Sequence, residues 1–257
     1  MVAARGEESR LDLSKGVRFV LVEPRSAGNV GSAARALKNL GFRRLALVAP
    51  RCDPRGSEAR FMAVDAADVL DSAEVHQDLD AALAGAGTVV GTSRRTGKQR
   101  RPHWRLDELA GDLAALVRAG DLAFVFGRER YGLEDAELDR CTHLVHFLAS
   151  EEYPSFNLGQ SVLLAAYETR RALAGAPAPP ALEPLADHET REAMFAHLEQ
   201  ALRAVGFLRD ETAEGLMRRI RRILGRAALG PGDAKVIRGI ARQVLWTAGE
   251  PDEVEDP

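Results

Sequence analysis

The chain has 257 residues, 46% of them hydrophobic, and a formal net charge of −3. This length accommodates one large domain or one domain with an appendage, and no run of about 18 apolar residues predicts a transmembrane helix. The first sixteen residues are charged and lack the apolar core of a signal peptide. With only two cysteines, Cys52 and Cys141, the sequence predicts a cytoplasmic protein with free thiols.

Strands and helices are predicted to alternate through the first two thirds of the chain. Apolar runs predict strands at 17–22, 45–49, 87–91, 122–126 and 144–147. Helical spacing of apolar residues predicts helices at 30–40, 58–70, 78–84, 106–119, 134–139 and 157–173. This alternation predicts an α/β fold, a mainly parallel sheet with helices on both faces. In such a sheet, ligands bind outside the carboxyl ends of the strands.

The last third of the chain has a different pattern. A proline-rich linker is predicted over 174–187, because four prolines disfavour a helix and favour a semi-rigid spacer. Three apolar stripes at helical spacing then predict a small helical extension over 188–247. The predicted organisation is a disordered N-terminus at 1–16, an α/β domain at 17–173, the linker, the extension and an acidic tail at 248–257.

Two segments are rich in basic residues. The first follows a predicted strand and includes Arg94, Arg95, Lys98, Arg100 and Arg101; the second lies in the extension and includes Arg218 and Arg222. Each is either a solvated face or a surface for a polyanion, and the first segment is favoured as a flexible loop that contacts phosphates. His143 and His146 have no cysteine partners nearby, so a structural role is favoured over a metal site.

Three segments at predicted strand ends carry residues suited to chemistry. The first runs from Gly28 to Gly41, with small residues, Asn29 or Ser32 as the predicted helix cap, and Arg35 early in the helix. The second comprises the stretch 91–94 and the stretch 126–133, and the third is 154–161. Neither a G-x-G-x-x-G fingerprint, a Walker A sequence nor a nucleophile elbow occurs, which disfavours a nicotinamide-dependent oxidoreductase, a P-loop ATPase and an α/β-hydrolase.

The segments 29–39, 126–133 and 155–158, in that order along the chain, resemble the three motifs of the SPOUT RNA 2′-O-methyltransferases. The resemblance is strongest to the TrmJ type, which modifies the tRNA anticodon loop, and it continues through 197–200 and 206–227 of the extension. It implies an S-adenosylmethionine-dependent methyltransferase acting on cytidine or uridine at a position-32-type site. It also implies a homodimer that binds tRNA.

The resemblance implies a C-terminal trefoil knot over about 122–165, whose loops form the S-adenosylmethionine pocket. The implied cofactor-binding residues are Thr92, Ser93, Arg94, Gly127, Phe147, Pro154, Ser155, Phe156, Asn157 and Leu158. No metal is required, because the sulfonium of the methyl donor supplies the electrophile. The site is expected near the dimer interface, and the partner subunit is expected to cover an exposed apolar helix face.

The implied catalytic residues are Arg35 and Asn29. An arginine side chain is a poor general base, so we expect Arg35 to bind the adjacent phosphate and stabilise the developing oxyanion. The 2′-hydroxyl proton leaves to a phosphate, to water or to a transiently neutral Arg35. Asn29 either caps the helix or holds the ribose. Glu129 either pairs with an arginine of the knot or orders the motif-two loop, and a structural role near the site is favoured. Ser155 and Asn157 either cap a helix or contact the cofactor, which the resemblance favours.

Two departures from the family pattern bear on specificity. Ser26-Ala27 stands where many relatives have His-Pro, and Phe156 stands where leucine is common. Neither change removes a reactive group, but both alter the predicted RNA or adenosyl pocket. The alternative functions are an rRNA or other-position tRNA 2′-O-methyltransferase and, in a different class, a catalytically silent RNA-binding protein on the same fold.

Overall fold

The structure, a computed structural model, describes residues 16–93, 103–175 and 184–250. Most of the predicted N-terminal segment and most of the acidic tail lie outside these ranges, as does the basic stretch 94–102. Within the described ranges, no helix combines the length and the apolarity that crossing a bilayer requires.

Seven parallel strands form one sheet in the order β3-β2-β1-β6-β4-β7-β5. The strands are β1 (Val17–Val22), β2 (Arg44–Val48), β3 (Glu74–His76), β4 (Ala86–Thr92), β5 (His103–Arg105), β6 (Asp121–Phe126) and β7 (His143–His146). All five predicted strands are confirmed to within one residue at each end. The edge strands β3 and β5 were not predicted, because each has three residues and no apolar run.

The described residues of this α/β region form seven α-helices. They are α1 (Ala27–Asn39), α2 (Ser57–Ala63), α3 (Ala67–Asp71), α4 (Leu79–Leu83), α5 (Leu106–Ala119), α6 (Asp135–Leu138) and α7 (Leu158–Gly175). The prediction of one helix over 58–70 was wrong. The chain instead turns between α2 and α3 at Val64, whose φ of 52° lies outside the helical region.

Apolar side chains cover both faces of the sheet. On one face Phe19 stacks on Phe124 at 5.6 Å between ring centroids, beneath the apolar stripes of α1, α5 and α7. On the other face Val20 and Val125 pack with residues of α4 and α6. Fully burying each such side chain contributes about 1.5–3 kcal/mol, so both layers stabilise the sheet. The predicted α/β class with helices on both faces is confirmed, while the trefoil knot stays a prediction.

A helical extension follows the α/β region, as predicted. It contains α8 (His188–Ala204), α9 (Ala213–Gly225) and α10 (Pro231–Ala248), and α8 packs on α10 through Ala201 and Ala241. The linker prediction was partly wrong at its start, because α7 continues to Gly175. Its last residues are packed rather than extended into solvent: Ala186 is fully buried, and the Leu185 amide donates to the Ala119 carbonyl at 3.1 Å.

Candidate active site

A cleft of about 330 Å³ lies at the carboxyl ends of β4, β6 and β7. The loop after β6 (residues 127–133, the β6 loop) and the segment after β7 (residues 147–157, the β7 segment) form much of its wall. The predicted cofactor residues that line it are Thr92, Ser93, Gly127, Phe147, Pro154, Ser155, Phe156 and Leu158. Seven of these eight residues come from the second and third predicted segments, and Phe147 lies between those segments in sequence. All eight share one cleft.

The β6 loop is closed on itself. The Arg128 amide donates to the Gly132 carbonyl at 3.1 Å, and the Gly132 amide returns a bond of 2.8 Å to the Arg128 carbonyl. Gly132 has a φ of +70°, which glycine adopts without strain. A Cβ at Gly127 would lie 2.0 Å from the Gly132 carbonyl carbon, so this position admits only glycine.

Arg128 anchors the β6 loop and was not predicted as a site residue. Its guanidinium is nearly buried and pairs with Glu23 at 2.9 Å and with Glu137 at 3.0 Å. Burial lowers the pKa of Arg128, but the hydrogen bonds to the two carboxylates outweigh this effect and raise it. The arginine therefore joins the end of β1 to α6 and immobilises the loop between them. The role of Arg128 is visible only in the folded chain, because its partner Glu23 is 105 residues away in sequence.

The helix that carries Arg35 is capped by Ser26. The Ser26 hydroxyl accepts a hydrogen bond from the Asn29 amide at 3.2 Å, and α1 begins at Ala27. The expectation that Asn29 or Ser32 caps this helix was wrong, because the helix starts several residues earlier than the apolar periodicity predicts. Since Ser26 does the capping, the Asn29 side chain is available for other contacts.

Asn29, Glu129 and Asn157 form a polar cluster that joins the three predicted motifs. Asn29 Nδ2 donates to Glu129 Oε1 at 3.1 Å. Asn157 Nδ2 donates to Asn29 Oδ1 at 2.8 Å. The three side chains are at least 28 residues apart in sequence, so the fold, not local structure, assembles this cluster.

Glu129 is the acceptor at one end of the cluster. It also accepts hydrogen bonds from the backbone amides of Arg25 and Ser26, each at 3.1 Å. Burial raises the pKa of the Glu129 carboxyl, but hydrogen bonds from its own backbone amide, Asn29, Ser26 and Arg25 outweigh burial and leave the pKa below its usual value. Glu129 therefore remains ionised and fixes the start of α1 beside the β6 loop.

Asn157 connects the cluster to α7. Its Oδ1 accepts from the Gly159 amide at 2.9 Å, so Asn157 caps the first turn of α7 while it donates to Asn29. A Cβ at Gly159 would lie 2.8 Å from Ser32 Cβ, and only glycine allows α1 and α7 to approach this closely. Asn157 does not line the cleft, in contrast to its neighbours Phe156 and Leu158.

The remaining predicted cofactor residues differ in how they are held. The Thr92 hydroxyl donates to the Val125 carbonyl at 3.1 Å, and the Ser93 amide donates to the Val145 carbonyl at 2.9 Å. Phe147 and Phe156 meet edge to face at 5.8 Å and give the cleft an aromatic wall. Arg94 lies outside the described residues.

Arg35 is exposed on α1, which packs against both α2 and α7. Among the described residues it forms no hydrogen bond or ion pair, and the same holds for the side chains of Arg25 and Arg130. Arg25 is adjacent to Ser26, and Arg130 follows Glu129. We call Arg25, Arg35 and Arg130 the rim arginines. Their positive charge is uncompensated among the described residues, and Arg25 and Arg130 lie next to the polar cluster in sequence.

The predicted RNA-binding arginines of the extension are occupied differently. Arg218 Nε pairs with Asp139 Oδ2 at 2.9 Å, and Nη2 pairs with Glu214 Oε1 at 2.7 Å. Arg222 Nε donates to the Arg218 carbonyl at 3.4 Å. The geometry gives Arg218 a docking role against the α/β region, so the prediction of Arg218 as an RNA ligand needs revision. Arg95, Lys98, Arg100 and Arg101 lie outside the described residues.

Further charged contacts join the helices of the extension to one another and to the α/β region. Arg221 binds both oxygens of Glu192, at 2.7 and 2.9 Å, and lies 4.4 Å from the ring centroid of Phe195. His188 Nε2 contacts Asp80 Oδ1 at 2.9 Å across the boundary. Arg191 is buried and donates to the Gly87 carbonyl at 2.6 Å, while burial lowers its pKa. We call Arg191, Arg218 and Arg221 the docking arginines; Arg191 and Arg218 bind the α/β region, and Arg221 binds α8 within the extension.

The chain is similar to known methyltransferases along most of its length. A model of the SpoU rRNA methylase family matches residues 16–167, and a model of the C-terminal domain of the tRNA methyltransferase TrmJ matches residues 189–253. The tRNA (cytidine/uridine/adenosine-2′-O-)-methyltransferase TrmJ of Pseudomonas aeruginosa is 40% identical over 247 residues, which cover 90% of this chain and 95% of that protein.

A second relative and a solved structure agree with these matches. The tRNA (cytidine/uridine-2′-O-)-methyltransferase TrmJ of Salmonella typhimurium is 38% identical over 238 residues, covering 89% of this chain and 96% of that protein. The crystal structure of TrmJ from Z. mobilis ZM4 superposes with a TM-score of 0.76 at 29% identity. That alignment covers 88% of this chain and 98% of the other.

Proposed function

This chain belongs to the SpoU methylase family and to the TrmJ group within it, and on that premise we propose that it methylates the ribose 2′-oxygen of a tRNA anticodon-loop nucleotide. The proposed targets are cytidine and uridine at a position-32-type site, with S-adenosylmethionine as the methyl donor. The observation that carries the proposal is the polar cluster of Asn29, Glu129 and Asn157. It joins the helix of Arg35 to the two loops that wall the cleft.

The cleft has properties suited to S-adenosylmethionine. Its volume of about 330 Å³ lies within the range typical of small-molecule sites. We propose that backbone groups at Thr92 and Gly127, the aromatic wall of Phe147 and Phe156, and Leu158 hold the cofactor. Once bound, S-adenosylmethionine supplies an electrophilic methyl group on a sulfonium. The closed β6 loop and its Arg128 anchor support this assignment, because a fixed wall orients a bound molecule at little entropic cost.

Arg35 is proposed to act on the RNA rather than on the methyl donor. A guanidinium keeps its proton at neutral pH, so its role is to bind the phosphate next to the target ribose and to stabilise charge on the 2′-oxygen. Arg35 is exposed and has no partner among the described residues, which supports this role, because no described carboxylate neutralises its charge. Asn29 then orients α1, and with it Arg35, through Glu129 and Asn157.

We also propose that the enzyme acts as a homodimer. Leu163 and Tyr167, one turn apart on α7, are both exposed large side chains on the helix that packs against α1. A partner subunit that covers them would sit close to the polar cluster. Sedimentation equilibrium measures the oligomeric state directly.

Incubation with labelled S-adenosylmethionine and tRNA, followed by nuclease mapping of the methylated ribose, tests the proposal. We expect label in one anticodon-loop nucleotide. Label in rRNA alone, or at a tRNA position outside the anticodon loop, would identify the alternative methyltransferase. Normal cofactor binding without transfer to any RNA would identify the catalytically silent RNA-binding protein.

A further inference from the structure

Tyr131 is an exposed aromatic side chain at the mouth of the candidate cleft. Its relative exposure is 59%, and it belongs to the β6 loop two residues after Glu129. The guanidinium carbon of Arg130 lies 6.0 Å from its ring centroid. An aromatic ring and an adjacent guanidinium, both open to solvent, are the two side-chain types on which unstacked nucleobases stack.

The β6 loop presents these two side chains from a rigid base. Arg128 pairs with Glu23 and Glu137, and the Arg128 and Gly132 backbones exchange two hydrogen bonds. Glu129 is held by the start of α1. A ring on an immobilised loop loses little conformational entropy when a flat partner stacks on it, so the contact retains most of its free energy.

We propose that Tyr131, assisted by Arg130, is a stacking platform for a nucleobase of the substrate RNA loop. The inference rests on the proposed function, because it places the base beside the 2′-hydroxyl that is modified. Two observations favour an RNA base over the adenine of the cofactor. The Tyr131 ring is largely open to solvent, whereas Phe147 and Phe156 already form an aromatic wall for the cleft.

The neighbouring charge also favours RNA. Arg130 has no ion pair among the described residues, and the side chains of Arg25 and Arg35 are likewise unpaired there. A base that stacks on Tyr131 therefore has its flanking phosphates close to uncompensated positive charge. Because every base has a π face, the platform contributes affinity and positioning, and it discriminates weakly among bases.

Steady-state kinetics on Tyr131→Ala, with Tyr131→Phe as the matched control that keeps the ring, tests the platform. For Tyr131→Ala we expect the KM for tRNA to rise about tenfold, with little change in kcat, in the cofactor Kd by calorimetry, or in melting temperature. Tyr131→Phe is expected to match the wild type. An unchanged KM in Tyr131→Ala would overturn the inference, and a weakened cofactor Kd with unchanged KM would assign the ring to the cofactor instead.

An abasic substitution in the RNA provides a second, independent readout. Anticodon stem-loop RNAs carrying one abasic site, at the target nucleotide or at either neighbour, are bound to the wild type and to Tyr131→Ala. At the stacked position the tenfold difference between the two proteins should vanish, and at the others it should persist. A difference that persists at all three positions contradicts stacking. If the wild type methylates no RNA, the proposed function fails. The binding comparison still shows whether Tyr131 stacks on a nucleobase.

Discussion

The rim arginines and the docking arginines share a residue type but differ in environment. Arg25, Arg35 and Arg130 are exposed and form no side-chain hydrogen bond or ion pair among the described residues. Arg191, Arg218 and Arg221 are buried or half-buried, and each binds a carbonyl or carboxylate. The first set leaves charge for a polyanion. In the second set, Arg191 and Arg218 hold the extension against the α/β region, and Arg221 joins α9 to α8 within the extension.

This difference shows that the density of arginines along a sequence does not locate an RNA surface. The extension has five arginines within nine residues, yet two of them, Arg218 and Arg221, pair with Asp139 and Glu192. The rim arginines are scattered over more than one hundred residues of the sequence. What separates the two sets is the presence of a carbonyl or carboxylate partner, which depends on the tertiary structure.

The largest effect is expected at Arg35. If Arg35 is not needed for methyl transfer, the distinction between rim and docking arginines loses its functional meaning. Arg35→Ala should lower kcat about 10²–10³-fold, the loss typical when one charge-stabilising donor is removed from a transition state. Because Arg35 does not line the cleft, the Kd for S-adenosylmethionine should stay within about twofold by calorimetry. Arg35→Lys keeps the charge without the fork and should recover only part of the rate. Near-wild-type turnover of Arg35→Ala would remove the catalytic assignment.

A smaller effect is expected at Glu129, which holds the start of α1 in place through its hydrogen bonds. Glu129→Gln places an amide among donors that now face a carboxylate, so α1 should shift relative to the cleft. We expect kcat to fall about 10–100-fold, since misplacement of about 1 Å has effects of this size. Glu129→Asp, which keeps the charge, is the control and should be the milder variant.

The same carboxylate makes a pH-dependent contribution to stability. Its folded-state pKa lies below the usual value, so its stabilising contribution is present above the unfolded-state pKa of about 4.3 and is lost as the pH falls through the lowered folded value. Melting temperatures measured from about pH 3 to 7 should therefore show a shallower acid limb for Glu129→Gln than for the wild type. Parallel limbs would contradict this assignment.

Much of the fold was predictable because buried parallel strands are continuous apolar runs. Strands β1 and β6 were predicted to within one residue, and the second and third predicted segments share one cleft. The start of α1 was mispredicted, because the cap depends on where the chain turns after β1, and Ser26 lies outside the apolar stripe. The roles of Arg128 and Arg218 could not be predicted, since Glu23 and Asp139 are 105 and 79 residues away from them.

At the docking arginines the expected effect is on stability before activity. Arg218→Ala removes charge-assisted bonds to Asp139 and Glu214, which should cost about 2 kcal/mol and lower the melting temperature by about 5 °C. The kcat should change by only a few fold. Arg219 is the matched control, because it is exposed on the same helix and unpaired among the described residues. Equal melting temperatures for Arg218→Ala and Arg219→Ala would refute the docking role.

The smallest effect is expected for the exposed arginines of α9, which differ from the paired arginines of the same helix. Arg219 and Arg226 are both exposed on this helix and its C-terminal cap, so an extension that contacts RNA must use residues such as these rather than Arg218 or Arg221. The double variant Arg219→Ala/Arg226→Ala tests this role of the exposed arginines. It should weaken tRNA binding two- to fivefold near physiological salt, and it should reduce the slope of log K against log salt by about 2, one for each lost phosphate contact. Its melting temperature should stay within 1–2 °C of the wild type, since surface substitutions usually cost about 0.5 kcal/mol or less. An unchanged salt slope would mean that α9 serves only to dock the extension, and the phosphate contacts would then belong to the rim arginines alone.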